Sequence, residues 1–227
     1  MIIGLSGYAG SGKDLVGKII QYLASGAPQA NIKFENWDGQ RLWGEKASTT
    51  NWEIKKWAFK LKQIASILTG IPQEMFEDQE FKKTFLPEEW NYEFAIPFSG
   101  PEFTTVQRQM TVRQFLQDLG TDALRDGLHT NVWVNALMAD YRPSKMSERN
   151  PSKWIITDCR FPNEAEAVKE RGGLMIRIDR PGIAPINDHP SETRLDNYPF
   201  DYRIANASDI PSLIQTVEVI LKKENLL

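Results

Sequence analysis

The chain has 227 residues, enough for one sizeable α/β core carrying an inserted subdomain. Its 41% hydrophobic and 25% charged residues are those of an ordinary soluble globular protein, and a net charge of −3 offers no global basic field to a nucleic-acid polymer or an anionic membrane. A single cysteine, Cys159, excludes an internal disulfide, and two histidines far apart in sequence, His129 and His189, make no recognisable zinc motif.

Met1-Ile2-Ile3-Gly4-Leu5 is an apolar run that reads as a strand, and Leu15, Val16, Ile19, Ile20 and Leu23 follow with helical spacing. Between them lies Gly7-Tyr8-Ala9-Gly10-Ser11-Gly12-Lys13-Asp14, the pattern Gly-x4-Gly-Lys. Strand, glycine loop and helix in that order form a phosphate-binding P-loop. Its glycines let successive backbone N–H groups curl toward a phosphate, and the helix start adds partial positive charge. A turn that merely joined a strand to a helix would need neither three glycines nor Lys13. The loop predicts a nucleoside triphosphate site made by Gly7, Gly10, Ser11, Gly12, Lys13, Asp14 and Leu15. Asp14 stands where a Ser or Thr hydroxyl usually meets Mg²⁺; its carboxylate either serves the metal or only caps the helix. With the P-loop strand at the N-terminus there is no room for a signal peptide, no apolar run approaches membrane-spanning length, and a cytoplasmic location is expected.

Gly26-Ala27-Pro28 breaks the pattern, and Ile32-Lys33-Phe34 predicts a short strand. Residues 37–52 read as a loop. Lys56-Trp57-Ala58-Phe59 is expected to be a strand end that leads into a helix with Leu61, Ile64, Ala65 and Leu68 on one face, stopped by Gly70 and Pro72. From Pro72 to Met110 the chain is rich in aromatics but weakly periodic, with prolines at 72, 87, 97 and 101. That length suits either an insertion that handles substrate or a disordered stretch. Thr111-x-x-Gln114 is a capping-box pattern before Val112, Phe115, Leu116 and Leu119, and Gly120 is expected to close that helix.

A further helix carries Val132, Trp133, Ala136 and Leu137 and ends before Pro143, and residues 144–152 form a polar loop. Trp154-Ile155-Ile156-Thr157 has the continuous apolar character of a central parallel strand. Pro162 opens a helix that Gly172-Gly173 ends; strands follow at Leu174–Ile178 and Tyr202–Ile204, and an amphipathic helix from Ile210 closes the chain. Strands alternating with helices predict an α/β fold of three layers, α/β/α, with a mostly parallel sheet of about five strands. The chain reads as one P-loop domain over 1–227, with an insertion at about 70–140 and a lid-like loop at about 179–200.

Asp158 ends the buried strand, where open α/β sheets place their ligands, so it is expected near the P-loop as a group that orients Mg²⁺ or accepts a hydroxyl proton. Arg160 would neutralise charge on a transferring phosphoryl group. Lys13, Asp158 and Arg160 are thus the catalytic candidates, and Asp14 and Asp158 the metal ligands. Arg113 and Gln117, one helical turn apart, and Arg125 could clamp a second phosphate, although residue type alone reads them as solvated; Trp133 reads first as core. His189-Pro190-Ser191-Glu192, with Arg177 and Arg180 before it, reads either as a lid that excludes water or as an ordinary polar loop.

Four stretches together resemble the bacteriophage-type deoxynucleoside monophosphate kinases, P-loop kinases of the nucleoside monophosphate kinase fold. They are Ser11-Gly12-Lys13-Asp14; Thr111-Val112-Arg113-Gln114-Phe115-Leu116-Gln117-Asp118-Leu119-Gly120-Thr121 with Arg125 and Trp133 beyond it; Asp158-Cys159-Arg160-Phe161-Pro162-Asn163-Glu164-Ala165-Glu166; and His189-Pro190-Ser191-Glu192. The resemblance implies transfer of the γ-phosphate of ATP, with Mg²⁺, to a deoxynucleoside monophosphate, giving the diphosphate. It also implies an acceptor site of Lys62, Arg113, Gln117, Arg125 and Trp133, small nucleotides as the only partners, and leaves a homodimer open. Where the family often has Phe-Ala-Asp-Pro-Leu-Lys, this chain has Trp57-Ala58-Phe59-Lys60-Leu61-Lys62, which keeps the lysine and loses the acid and the proline. Animal phosphomevalonate kinases are similar in their Ser-Gly-Lys-Asp loop and a string like Leu195-Asp196-Asn197, so another phosphorylated acceptor stays open. A P-loop regulatory ATPase is the remaining alternative, for which no clear water-positioning residue is found.

Overall fold

Met1 aside, the first strand, β1 (Ile2–Ser6), is buried along its whole length, as a strand covered on both faces must be. It pairs in parallel with β5 (Lys153–Cys159) on one side and β6 (Leu174–Asp179) on the other. The sheet is completed by β2 (Trp52–Lys55) beside β5 and β7 (Tyr202–Ala205) beside β6, giving five parallel strands in the order β2-β5-β1-β6-β7. The computed structural model describes residues 1–39, 50–99, 102–143, 151–186 and 189–227. Most of the expected loop at 37–52, residues 144–150 of the next polar loop, Asn187 and Asp188 of the lid-like loop, and Pro101 lie outside the described residues.

Chain direction assigns the helices to layers. The path from β1 to β2 runs one way across the sheet, and the path from β5 to β6 runs the other way, past β1. Right-handed crossovers therefore put α1 (Lys13–Leu23) and α5 (Pro162–Lys169) on opposite faces. On the α1 face, Ile3, Leu5, Ile155, Ile176 and Ile178 pack with Val16, Ile19 and Ile20, and with Leu213, Val217 and Leu221 of α7 (Ile210–Lys223). Asp209 caps α7 by accepting from Ser212 N at 3.0 Å, and Lys222 and Lys223 sit at its negative end. On the other face a side chain at Gly4 would collide with Met175 Sδ at 2.4 Å and Cys159 Sγ at 3.1 Å, so the absence of one lets that layer close. Cys159 is buried there and burial pushes its thiol well up, consistent with a small core side chain. The α/β layering expected from the sequence is present.

Two compact units divide the chain: Met1–Trp57 with Leu137–Leu227, which holds the sheet, and Ala58–Ala136. In the second unit, α2 (Ala58–Thr69) is followed by short 3-10 turns at Gln73–Glu77, Phe81–Lys83 and Glu88–Trp90. A hairpin of β3 (Tyr92–Ser99) and β4 (Glu102–Arg108) comes next, then α3 (Val112–Gln117), which runs into a π-helix over Asp118–Asp126. Its core is Ala65, Phe76, Leu86, Val112 and Phe115, with Trp90 edge-on to Phe115 at 5.0 Å. The remaining helices are α4 (Val132–Met138) and α6 (Pro190–Thr193).

Several expectations need correction. Residues 32–34 form no strand: Tyr22 donates its hydroxyl to Ile32 O at 2.8 Å, packs edge-on against Phe34 and Trp37, and the chain turns as a 3-10 helix at Phe34–Asn36. The second strand lies earlier than 56–59, because Asp158 Oδ1 takes the Trp57 N–H at 2.8 Å and Ala58 already starts α2. On α2, Leu68 is exposed while Lys62 is buried. Gly120 does not stop a helix. A Cβ there would meet Leu61 Cδ2 at 2.8 Å, so the glycine serves close packing against α2 and the helix continues through it in wider π turns.

Candidate active site

The loop between β1 and α1 takes its shape from Gly10 and Gly12, whose φ values of 81° and 101° lie in the left-handed region. A Cβ at Gly7 would fall 2.4 Å from Ile178 O and 2.6 Å from Ser11 Oγ, and one at Gly12 would fall 2.5 Å from Asn206 Nδ2. The loop carbonyls are tied down by side chains. Asn206 Nδ2 donates to Ser11 O at 2.9 Å, Arg180 to Gly10 O at 3.2 Å, and Lys13 Nζ to Gly7 O and Tyr8 O at 2.7 and 2.8 Å. A trans peptide points its N–H opposite its carbonyl, so fixing these oxygens also fixes the direction of the amides that follow. Ser11 Oγ is buried without a hydrogen-bond partner among the described residues. Cradle, lysine and orphan hydroxyl are a donor set suited to phosphate oxygens.

β1 and β5 are neighbours whose following helices leave to opposite faces, the arrangement that opens a crevice at the carboxyl ends of strands. Lys13, Asp14, Asp158, Arg160 and Glu192 gather there. Burial and the Arg160 charge lower the Lys13 ammonium to about 8, against the opposing pull of Asp14, Asp158 and Glu192. Asp14 sits in the first turn of α1; its Oδ1 accepts from Thr157 Oγ1 at 2.7 Å and lies 3.5 Å from Lys56 Nζ. Asp158 is fixed by the Trp57 amide. Two carboxylates at this strand end are hard oxygen donors of the kind Mg²⁺ takes, largely through its own water shell. No cluster of three or more acidic, histidine or cysteine ligands occurs among the described residues. Leu15 is partly buried against the sheet core.

Arg160 follows β5 at the head of α5, whose Glu164 reaches back to accept from the Arg160 and Phe161 amides at 2.8 and 3.1 Å. Its guanidinium meets Glu192 at 2.9 Å and Ser191 Oγ at 3.4 Å. A small cleft beside the loop is lined by Gly7, Ala9, Arg160, Arg177 and Glu192, among others. Arg177 is no lid residue: it lies inside β6, buried, and pairs with Asp196 at 3.0 Å and Asp179 at 3.2 Å under the Tyr8 ring.

The acceptor candidates all lie in the second unit. Lys62 is buried and pairs with Glu77 at 2.5 Å. Arg113 donates to Gln79 at 3.2 Å. Arg125, 4% exposed, donates to Thr130 O at 3.3 Å, and Trp133 donates its indole N–H to Gly120 O at 2.8 Å. Gln117 ends α3, just before the π-helix, a geometry often found at functional sites.

Residues 63–217 match the deoxynucleotide monophosphate kinase family. The chain belongs to that family. It is 46% identical over 93 residues to a mimivirus protein assigned as a deoxynucleotide monophosphate kinase, a match covering 37% of this chain and 47% of that protein. Against the deoxynucleotide monophosphate kinase of Enterobacteria phage T4 it is 27% identical over 117 residues, 52% of this chain and 48% of the relative. Against the deoxynucleoside-5'-monophosphate kinase of Escherichia phage T5 it is 23% identical over 234 positions, 92% of this chain and 90% of the relative. The chain thus spans about half the length of the first two relatives and most of the third.

Within this family member, three contributors to the site escaped the sequence reading. Thr157 holds Asp14, Asn206 holds the glycine loop, and the Tyr8–Asp196 hydrogen bond of 2.8 Å joins that loop to the segment after α6. Asn206 stands directly after β7, so the rule that ligands gather at strand ends could have flagged it. Nothing in the sequence pairs Tyr8 with Asp196, 188 residues away.

Proposed function

We propose that the protein transfers the γ-phosphoryl group of ATP to a deoxynucleoside monophosphate, giving ADP and the deoxynucleoside diphosphate. The observation that carries this reading is Lys13 held at the mouth of a glycine cradle with Asp158 and Arg160 beside it, in a chain of this family. Lys13 and the loop amides bind the β- and γ-phosphates, and Arg160 neutralises charge on the group in flight. An oxygen of the acceptor phosphate attacks the γ-phosphorus. The bond from that phosphorus to the β–γ bridging oxygen breaks, and its electron pair leaves with ADP. The attacking oxygen is already anionic, so positioning and charge neutralisation carry the rate and no general base is required.

Asp14 and Asp158 would hold Mg²⁺, which supplies charge neutralisation on the triphosphate when bound. Lys62, Arg113, Gln117, Arg125 and Trp133 are assigned to the acceptor, with arginine forks on its phosphate and the indole against its base. No helix among the described residues is long and apolar enough to cross a membrane. We place the protein in the cytoplasm, working on small nucleotides. The Leu195-Asp196 string that resembles phosphomevalonate kinases is engaged in folding here, Leu195 in the core and Asp196 on Arg177 and Tyr8, and so does not favour that acceptor. A coupled assay with ATP and a panel of deoxynucleoside monophosphates tests the proposal; no diphosphate from any of them would remove it.

A further inference from the structure

The segment His189-Pro190-Ser191-Glu192 has no part in the mechanism above, yet its geometry is specific. Glu192 has a side chain only 5% exposed, whereas that of its partner Arg160 is 43% exposed. The carboxylate is therefore the buried member of the pair and the guanidinium the more exposed one. Ordinary surface pairs are worth little because both partners move; here one partner is fixed.

The backbone around Glu192 explains the anchoring. Its N–H donates to His189 O at 2.9 Å, and the His189 ring meets Ser191 Oγ at 2.8 Å and accepts the Ser191 amide at 3.2 Å. Downstream, Leu195 is buried, and Asp196 is locked between Arg177 and Tyr8. Glu192 thus stands on a short turn pinned at both ends, beside the cleft and within electrostatic reach of Lys13.

We infer that Glu192 is a positioning residue, whose buried carboxylate holds the Arg160 guanidinium at the site of phosphoryl transfer. Among the described residues both hydrogen bonds of that guanidinium, to Glu192 and to Ser191, are made by Nη1. Nη2 and Nε make no hydrogen bond among the described residues, which leaves one edge of the fork to serve phosphate oxygens while the other is held. A long arginine side chain loses rotamer freedom when ordered, and a fixed carboxylate takes that cost before substrate arrives. The carboxylate acts through Arg160 and touches no substrate itself.

This inference rests on the phosphotransferase reading, and a double-mutant cycle separates the two. Wild type, Glu192→Ala, Arg160→Ala and the double variant are assayed with ATP and the best deoxynucleoside monophosphate, with circular dichroism and thermal melts reporting the fold. Glu192→Ala is expected to lower kcat on the order of 10- to 100-fold while leaving both KM values within about twofold. In the Arg160→Ala background the same change is expected to alter kcat by less than about twofold. Glu192→Gln, which keeps an acceptor oxygen and loses the charge, is expected to fall between; it carries the same cycle if the alanine variant fails to fold. An active wild type whose folded Glu192 variants keep full kcat, gain activity, or lose as much with Arg160 absent as with it present overturns the inference alone. An inactive wild type overturns the phosphotransferase reading and this inference with it.

Discussion

The charges of the two units are held in different ways. In the sheet unit, Asp158 stands at the carboxyl end of β5, Arg160 just beyond it and Lys13 at the start of α1, and backbone groups hold two of them: Gly7 O and Tyr8 O take Lys13, and the Trp57 amide takes Asp158. In the Ala58–Ala136 unit the cations project from helices, and Lys62 and Arg113 are held by side chains, Glu77 and Gln79, themselves on irregular turns. A parallel sheet buried on both faces cannot shift its strand ends without breaking ladders, whereas a turn can move with little loss. On the proposed function, the first unit would hold the donor phosphate and the second the acceptor. If so, the sheet unit should punish small changes far more than the second unit does.

The largest effect is expected from Lys13→Ala. It removes the only ammonium in the glycine cradle among the described residues, and kcat/KM should fall at least about 10³-fold, as when a preorganised charge is withdrawn from a transferring phosphoryl group. A steady-state assay checks it, and a melt within a few degrees of wild type assigns the loss to chemistry. Next comes a matched pair of glycines. A methyl group at Gly7 meets Ile178 O at 2.4 Å, a backbone atom that cannot yield, whereas one at Gly120 meets Leu61 Cδ2 at 2.8 Å, the end of a flexible side chain. Gly7→Ala should therefore raise the ATP dissociation constant by roughly 100-fold, and Gly120→Ala should leave it within about twofold, by titration calorimetry. Equal effects from the two glycines would break the contrast between units.

For the second unit, Arg125→Ala should raise KM for the monophosphate by about 10-fold or more, the worth of a charge-assisted hydrogen bond to phosphate, while KM for ATP holds. Arg125 is also buried and bonded to Thr130 O, so some loss of melting temperature should accompany it. Arg113→Ala, more exposed and bonded to Gln79 alone among the described residues, should change the acceptor KM without changing the melt. Unchanged acceptor KM in both variants would remove these arginines from the acceptor site.

How far the chain could be read before its structure follows the same division. The sheet was legible because strands buried on both faces are written as unbroken apolar runs, such as Ile2–Leu5 and Trp154–Ile156. Its functional end was legible because a glycine loop with a lysine, and an aspartate closing a buried strand, have few other uses. The second unit resisted because its shape rests on contacts that leave no period. The short 3-10 turns around Phe76 and Leu86 have none, and Gly120 reads as a stop until Leu61 is seen to need the space. Arg177 misled for the opposite reason: a charge in the middle of a buried strand is tolerated only because Asp179 and Asp196 reach it, and one of these comes from a distant turn.

The smallest effect, and the sharpest test of how the cradle is tuned, is the titration of Lys13. Its pKa falls from 10.5 to about 8, chiefly because the folded loop desolvates the ammonium. Between those values the unfolded chain binds more protons than the folded one, so this group adds stability as pH rises from about 8 toward 10.5 and withdraws it as pH falls back through about 8. A triphosphate beside Nζ favours the charged form and reverses the shift. Through this group, binding of ATP should then take up roughly half a proton or more near pH 8.5, where the triphosphate is already fully ionised, and affinity should weaken several-fold as pH climbs above 8. Calorimetry in two buffers of different ionisation enthalpy reads this uptake directly as a difference in heat. The difference should vanish in Lys13→Met. A difference that persists in that variant would assign the proton to another group, and none in wild type at pH 8.5 would mean that the ammonium enters the complex already fully charged.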